Sequence, residues 1–490
     1  MTLVDGSNCR AALDNAAAAQ KQWARLSVRQ RGLRMHAVQT RIAQVADDLC
    51  DLITLPQRRS KTETLSAELI PLCEALRYLQ RDAAKVLATR KLPLSGRPLW
   101  LWGTRAEVQR VALGRVLIIA PWNYPLFLAG VQAAQALVAG NAVLLKPAPG
   151  CEAATATLVD CFQAAVGTDL IRQVGSDPEV ATRLIQAGVE KVVLTGSSTT
   201  GRRVGSVAAD ALTPATMELS GCDAMVVLPE ADRGRVVESL LFGLSFNSGA
   251  TCIAPRRIFL CQRQSDHYRK LLKQRLVQMP SIPVHPAVQT RMIEAVEDAI
   301  ARGARVVGGL WDREAFERTG ATPPLVLFGA QPDWPIMSAD LFAPLAAVCD
   351  YASPDDLVDL VARAPYALAA SIFGPQKEAR RLAELLDVGT VTINDLIVPT
   401  ADPRIPFGGR RASGFGTTRG AEGLLAMTCP RVIATQRLRH PKHLAAPTAG
   451  DEAILAGLLQ LKFAAGWRLR LRGLGQMVRG IRQSRNNDSR

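Results

Sequence analysis

Val116-Leu117-Ile118-Ile119-Ala120, then Leu126 to Val138, then Ala142-Val143-Leu144-Leu145 follow one another with only short connections. The first and third stretches are apolar without alternation, which is how a strand buried on both faces reads. The longer middle stretch predicts a helix. A strand, a helix and a strand in this rhythm form the unit of a parallel sheet with helices on both faces. The rhythm continues outward. Cys151 to Val166 predicts a helix, Lys191-Val192-Val193-Leu194-Thr195 a strand, and Gly201 to Ala211 a helix. After Glu218 it resumes with strands at Ala224-Met225-Val226-Val227-Leu228, at Arg257-Ile258-Phe259-Leu260 and at Gly389-Thr390-Val391-Thr392-Ile393, and a helix from Val236 to Phe246. The pattern predicts two α/β domains in series. Upstream, Ala11 to Trp23 and Arg31 to Leu55 predict helices. Leu99 to Val111 predicts extended chain, read as a hairpin, and Pro399 to Ser413 an ordered loop.

Composition narrows the class. The 490 residues are 48% hydrophobic and 21% charged, enough for a large core and unlike a disordered chain. No uncharged apolar run of about 18 residues occurs, so no spanning helix is expected. Met1 to Arg25 has no leader-like pattern. Ten scattered cysteines without a C-x-x-C pair predict neither a disulfide framework nor a metal site, and they suit a reducing cytoplasm. Of the net charge of +15, nine belong to Arg431–Arg490, so the basic character is largely that of a tail. That tail contains no recognisable nucleic-acid module, and no nucleic-acid partner is expected.

Several segments carry candidate chemistry. In Asn247-Ser248-Gly249-Ala250-Thr251-Cys252, a cysteine among small residues is open enough for its thiolate to attack a carbonyl. Alone, it reads more readily as a buried structural cysteine. Glu218, in Met217-Glu218-Leu219-Ser220-Gly221, reads as a carboxylate between a helix and a strand, either a general base or a solvated side chain. Asn123, in Pro121-Trp122-Asn123-Tyr124-Pro125 just past a buried strand, is a turn residue or a donor to a developing oxyanion. Gly196-Ser197 after a strand, with Gly201 opening a helix, suits a phosphate but lacks the usual G-x-G-x-x-G. Lys146 offers a cation just past a strand.

Order and spacing join these pieces. P-W-N-x-P, then G-N-A-V-L-L-K-P at 140–147, T-G-S-x-x-x-G, E-L-x-G and x-N-x-G-x-x-C occur in sequence. L-F-x-P at 341–344, Y-x-L-A-A-S-I-F at 366–373, G-x-V-x-I-N at 389–394 and P-F-G-G-x-x-x-S-G-F-G at 406–416 follow. Over roughly residues 10 to 435 the chain resembles the aldehyde dehydrogenase superfamily. The short N-terminus and the 129 residues from Asn123 to Cys252 look most like its class 3 branch, which acts on fatty and aromatic aldehydes.

The resemblance implies two Rossmann-like doubly wound domains, one cofactor-binding and one catalytic, with a small β oligomerisation element. It implies a cofactor domain over 1–218 with the hairpin at about 97–112, a catalytic domain over 219–400, a return over 401–445 and a tail over 446–490. It implies NAD or NADP as cofactor, Cys252 as nucleophile, Asn123 with the Cys252 amide as oxyanion hole, and Glu218 as base for deacylation. Trp122, Lys146, Gly196, Ser197, Gly201, Asp340 and Phe342 fall where the family holds the cofactor. Asn394 lies near the pocket with an open role. Leu99 to Val111 and Arg431-Val432-Ile433-Ala434 resemble pieces that assemble a homodimer.

Four positions depart from the family pattern. Asp340 replaces a longer Glu, Ser220 and Ala343 replace glycines, and Pro149 stands where NAD-preferring members often carry Glu. With no carboxylate at Pro149 to repel a 2′-phosphate, NADP stays open beside NAD. Two other functions compete with aldehyde oxidation to the acid. CoA-acylating members typically lack the base that Glu218 supplies. A catalytically silent, membrane-associated binding protein would have no use for Cys252, Glu218 and Asn123 together.

The tail beyond the resemblance predicts one further element, a basic amphipathic helix. Trp467, Leu471, Leu474, Val478 and Ile481 share a helical face flanked by Arg468, Arg472, Arg479 and Arg482, and Ile454 to Phe463 adds apolar surface. This pattern suits either an anionic membrane surface or packing on protein.

Overall fold

The computed structural model describes residues 9–53 and 60–487. Residues 1–8, and Leu55 at the end of the second expected helix, lie outside them. The opening three stretches become strand Arg115–Ile119, helix Phe127–Ala139 and strand Ala142–Lys146. Every residue of that helix is buried, as its apolar character on all sides requires. The buried Glu68 carboxylate accepts from the Leu126 and Phe127 amides at 2.7 and 3.0 Å, placing a negative group at the positive end of the helix.

The first sheet runs Gly414–Phe415, Ala215–Leu219, Lys191–Gly196, Arg115–Ile119, Ala142–Lys146, Ile171–Gln173. All pairings are parallel except that of the Gly414–Phe415 edge. The first parallel strand in the chain therefore lies beside the fourth, and the connections leaving these two run to opposite sides. The crevice this opens at the carboxyl ends of the strands is where open α/β sheets bind ligands. A second, seven-stranded sheet runs Arg305–Gly308, Leu325–Phe328, Leu345–Tyr351, Pro255–Cys261, Asp223–Val227, Ala369–Phe373, Thr390–Ile393, with one antiparallel edge. The fold is thus two doubly wound α/β layers in series.

Five details differ from the sequence reading. The helix expected from Arg31 is two, Val28–Gln44 and Ala46–Leu52, broken at Val45. Asp47 and Asp48 fall in the first turn of the second helix, where negative charge is favoured. Glu218 is not between a helix and a strand, because Ala215–Leu219 is itself a buried strand. Leu345–Tyr351 and Ala369–Phe373 are strands whose alanines hid them from an apolar-run reading. Leu99 to Val111 is not a hairpin by itself: Thr104–Ala112 is one strand, and its antiparallel partner is Arg90–Lys91. The tail holds two helices rather than one, Asp451–Phe463 and Trp467–Asn487.

Contacts divide the chain into two units. One comprises residues up to Ala88 with Arg110–Arg431 and holds both large sheets. The other comprises Thr89–Gln109 and Val432–Arg490. In the second unit the two tail helices lie backbone against backbone. A Cβ added to Gly473 would stand 2.6 Å from the Gly457 carbonyl oxygen, and one on Gly480 would stand 2.5 Å from that of Gly450. Only glycine permits this approach. Among the described residues no helix is long and apolar enough to cross a membrane.

Candidate active site

Cys252 is presented by a short, strained turn. Asn247, Ser248 and Gly249 are all left-handed, at φ 49°, 54° and 69°. Gly249 has a second reason to be glycine, since a Cβ there would meet the Ala343 carbonyl oxygen at 2.6 Å. The buried Arg256 guanidinium fixes this turn from below, donating to the carbonyls of Ala343 at 2.7 Å and of Gly249. From the other side, Asn123 Nδ2 donates to the Ala250 carbonyl at 2.8 Å, and Asn247 Nδ2 donates to the Asn123 carbonyl at 3.0 Å. The Tyr124 and Thr251 hydroxyls are 2.5 Å apart. The Asn123 amide is thereby held against the backbone that carries Cys252.

Glu218, one residue before the end of its strand, is 3% exposed. Its Oε2 accepts from the Thr418 hydroxyl at 2.8 Å, while its Oε1 is buried with no hydrogen-bond partner. Burial pushes the carboxyl above the usual range, opposed by Arg419 and then by the Thr418 hydrogen bond. Burial likewise pushes the Cys252 thiol up, with Glu218 and Asp223 adding to the effect and Arg419 opposing it. The thiol is therefore protonated near neutral pH and needs a base to become a nucleophile.

Two cavities meet at these groups. The larger, about 410 Å³, is lined by Trp122, Asn123, Lys146, Gly196, Ser197, Asp340 and Phe342 together with Cys252 and Glu218. The smaller, about 100 Å³, is mostly apolar, lined by Tyr124, Phe127, Phe246, Val398 and Phe407, again with Cys252 and Glu218. Of the expected cofactor residues, Gly201 alone does not line the larger cavity. It lies in helix Ser198–Asp210, where a Cβ would meet Leu219 at 2.6 Å, so it lets helix and strand pack. Asn394 lines neither cavity; its side chain bridges both backbone groups of Gly374 at 2.9 and 2.8 Å.

The larger cavity has the donor set of a dinucleotide site. Ser197 caps the helix whose N-terminus opens there, a ready position for phosphate. Lys146 Nζ donates to the Ser176 carbonyl at 2.5 Å, and burial lowers its pKa. Asp340 Oδ1 is buried without a partner, as a carboxylate awaiting a ribose hydroxyl would be. Burial raises the Asp340 pKa, and a hydrogen bond from Ser220 opposes the rise, so two of the departures from the family pattern are neighbours. Trp122 stacks on His285 at 4.3 Å and meets Phe342 at 5.7 Å, forming an aromatic wall. The residues present fit a nicotinamide dinucleotide.

Sequence reasoning missed Arg256, Thr418, Arg419 and His285. Each acts across a separation that no local pattern encodes; Thr418 and Glu218 are 200 residues apart.

The profile of the Aldehyde dehydrogenase family matches residues 1–433, and the chain belongs to that family. It is 33% identical over 431 residues to the 4,4'-diapolycopene aldehyde oxidase of Methylomonas sp, an alignment taking in 86% of this chain and 80% of that protein. It is 30% identical over 448 residues to the succinate-semialdehyde dehydrogenase [NADP(+)] of Deinococcus radiodurans, covering 88% and 91%. The Mycobacterium tuberculosis aldehyde dehydrogenase, crystallised complexed with NAD+, superposes with a TM-score of 0.80 at 25% identity, covering 88% of this chain and 91% of that one.

Proposed function

We propose that this enzyme oxidises a lipophilic aldehyde to its carboxylic acid with NAD or NADP, through a thioester on Cys252. The observation that carries the reading is that one sulfur and one carboxylate line both cavities. An aldehyde entering from the apolar side meets the nucleophile at the floor of the cofactor side. Glu218 accepts the thiol proton as sulfur adds to the carbonyl carbon. The Asn123 amide and the Cys252 backbone N–H donate to the oxyanion of the thiohemiacetal. A nicotinamide dinucleotide in the larger cavity would supply the acceptor for the hydride on that carbon. The C=O bond re-forms as a thioester. Glu218 passes its first proton to solvent and, a carboxylate again, removes a proton from water; the resulting hydroxide attacks the thioester, and the C–S bond breaks to release acid and thiolate. Lys146, Gly196, Ser197, Asp340 and Phe342 would hold the cofactor, and Trp122 would complete its wall. Pro149 also lines that cavity and leaves no carboxylate against a 2′-phosphate.

The apolar lining of the smaller cavity favours a hydrocarbon tail, and the Methylomonas relative is named for a diapolycopene aldehyde. Straight-chain aldehydes of increasing length, assayed by NADH and NADPH production, should show kcat/KM rising by about fourfold per methylene until the cavity is filled. A flat or falling profile refutes the lipophilic substrate, and no reduced cofactor with any aldehyde refutes the dehydrogenase.

Assembly and location belong to the same reading. In strand Thr428–Gln436, at the edge of the second unit's sheet, Val432 is 63% exposed, and an edge of this kind is normally covered. A homodimer is the natural cover. Trp467, Leu471 and Val478 on the tail hairpin are 68%, 57% and 42% exposed beside Arg468, Arg472 and Arg479, which suits the cytoplasmic face of an anionic membrane. Full-length protein should sediment with phosphatidylserine vesicles at low salt and be released at high salt. A form ending at Pro447 should stay in the supernatant. Both forms should scatter light at twice the mass of their own chain, which is 52.7 kDa at full length. Full-length protein left in the low-salt supernatant refutes the membrane, and a single-chain mass refutes the dimer.

A further inference from the structure

We infer that Arg419 is a positioning residue for the hydrolytic half-reaction: a buried cation, held just off the Glu218 carboxylate, that supplies its counter-charge without neutralising it by contact. The inference rests on the reading of Glu218 as the base. Arg419 is 6% exposed and lines the smaller cavity beside Glu218 and Cys252. A buried guanidinium normally pairs with a carboxylate. Here no ion pair within 4 Å joins Arg419 to any carboxylate among the described residues. One nitrogen donates to the Thr400 carbonyl at 2.6 Å, and Nε has no hydrogen-bond partner. The cation lies instead over the ring faces of Phe407 at 4.2 Å and Phe127 at 5.6 Å. The preceding residue, Thr418, supplies the only hydrogen bond to the Glu218 carboxyl among the described residues. One short segment thus gives the base both its donor and a cation lining the same cavity.

Contact would have blocked the chemistry. A carboxylate locked in a bidentate pair is a poor base, whereas one left alone in an apolar pocket takes up a proton and is no base at all. A cation held back by Thr400 and two rings avoids both. The other groups around Glu218 do not supply this charge. Cys252 faces it from the nucleophile turn, and the flanking strands present Thr195 and Gly414. Lys146, Arg291 and Asp340 line the cofactor side of the larger cavity. Of the charged groups, Arg419 is the one that bears on the Glu218 carboxyl.

The test is the pH dependence of steady-state turnover, limited by deacylation, with the pre-steady-state burst recorded in parallel. Arg419→Met should move the acidic limb to higher pH by roughly one unit, because loss of the cation favours the protonated base. Burst amplitude should be retained. Arg419→Gln keeps a donor for the Thr400 carbonyl, removes only the charge, and should shift the limb alike if the Met variant does not fold. Arg419→Lys should restore the wild-type limb. An unshifted limb in the neutral variants overturns the inference, whether turnover is full or is lowered equally at every pH. So does an unshifted limb with a raised KM for aldehydes bearing an anionic tail, which would make Arg419 a substrate receptor. In the same assay Glu218→Gln separates the two ideas. Normal deacylation there overturns the base itself, while loss of deacylation there with an unshifted limb in Arg419→Gln overturns only the role of Arg419.

Discussion

Cys252→Ala should lose dehydrogenase turnover by at least about 10⁴-fold, since nothing else in the pocket can form the acyl bond. Cofactor affinity should stay within about twofold of wild type. The second half of this expectation comes from the scaffold. The turn that carries Cys252 is held by Arg256, by Asn123 and Asn247, and by the Tyr124–Thr251 contact, none of which uses the sulfur. Replacing the thiol by hydrogen therefore leaves the cavity walls in place. Fluorescence titration with reduced cofactor, run beside the turnover assay, separates a missing nucleophile from a collapsed site. Turnover at the wild-type rate would remove the thioester from the mechanism.

Glu218→Gln should acylate and then stall. A burst of reduced cofactor of about one per active site should remain, rising more slowly because the thiol has lost its proton acceptor. Steady-state turnover should fall by about 10²–10⁴-fold, the usual contribution of a positioned base. The substitution is nearly isosteric, and its amide oxygen can still accept from Thr418. It also removes a buried charge. A carboxyl whose pKa is raised in the folded state costs stability once pH exceeds its unfolded value, and the cost is complete above its folded value. The Glu218 pKa is raised by burial, so the Gln variant should melt at or above the wild-type temperature at neutral pH. That advantage should fade as pH falls toward the ordinary carboxylate range. A variant without a burst would mean that acylation cannot proceed at all without Glu218, and deacylation would no longer be its distinguishing step. A burst followed by full turnover would leave hydrolysis without need of this base.

Three strands of the first sheet were legible because they are unbroken runs rich in Val, Leu and Ile, buried on both faces. Ala346, Ala347, Ala369 and Ala370 are equally buried, yet alanine serves helix and strand alike, and those strands did not announce themselves. Cys252, Glu218 and Asn123 were visible as motifs, and the fold brings all three to the wall of one cavity. What stayed hidden is the support. Arg256 and Arg419 read in the sequence as two among many arginines, and only the closed fold shows that each is buried and whose carbonyl it holds. The tail was read as one amphipathic helix because periodicity reports a face. The four glycines that fold it into a hairpin meet only across the turn.

The guanidinium of Arg256 grips Gly249 and Ala343 at once, and Gly249 lies so near the Ala343 carbonyl that a Cβ there would stand 2.6 Å from its oxygen. The turn bearing the sulfur and the loop bearing Asp340 and Phe342 are therefore one mechanical part. The spacing between Cys252 and the Asp340–Phe342 wall of the cavity is set by a single buried plane rather than by two loops adjusting separately. Laboratory evolution toward another cofactor would meet this as a coupling: changes within 339–344 would be tolerated mainly alongside compensating changes within 247–251, with Arg256 kept constant.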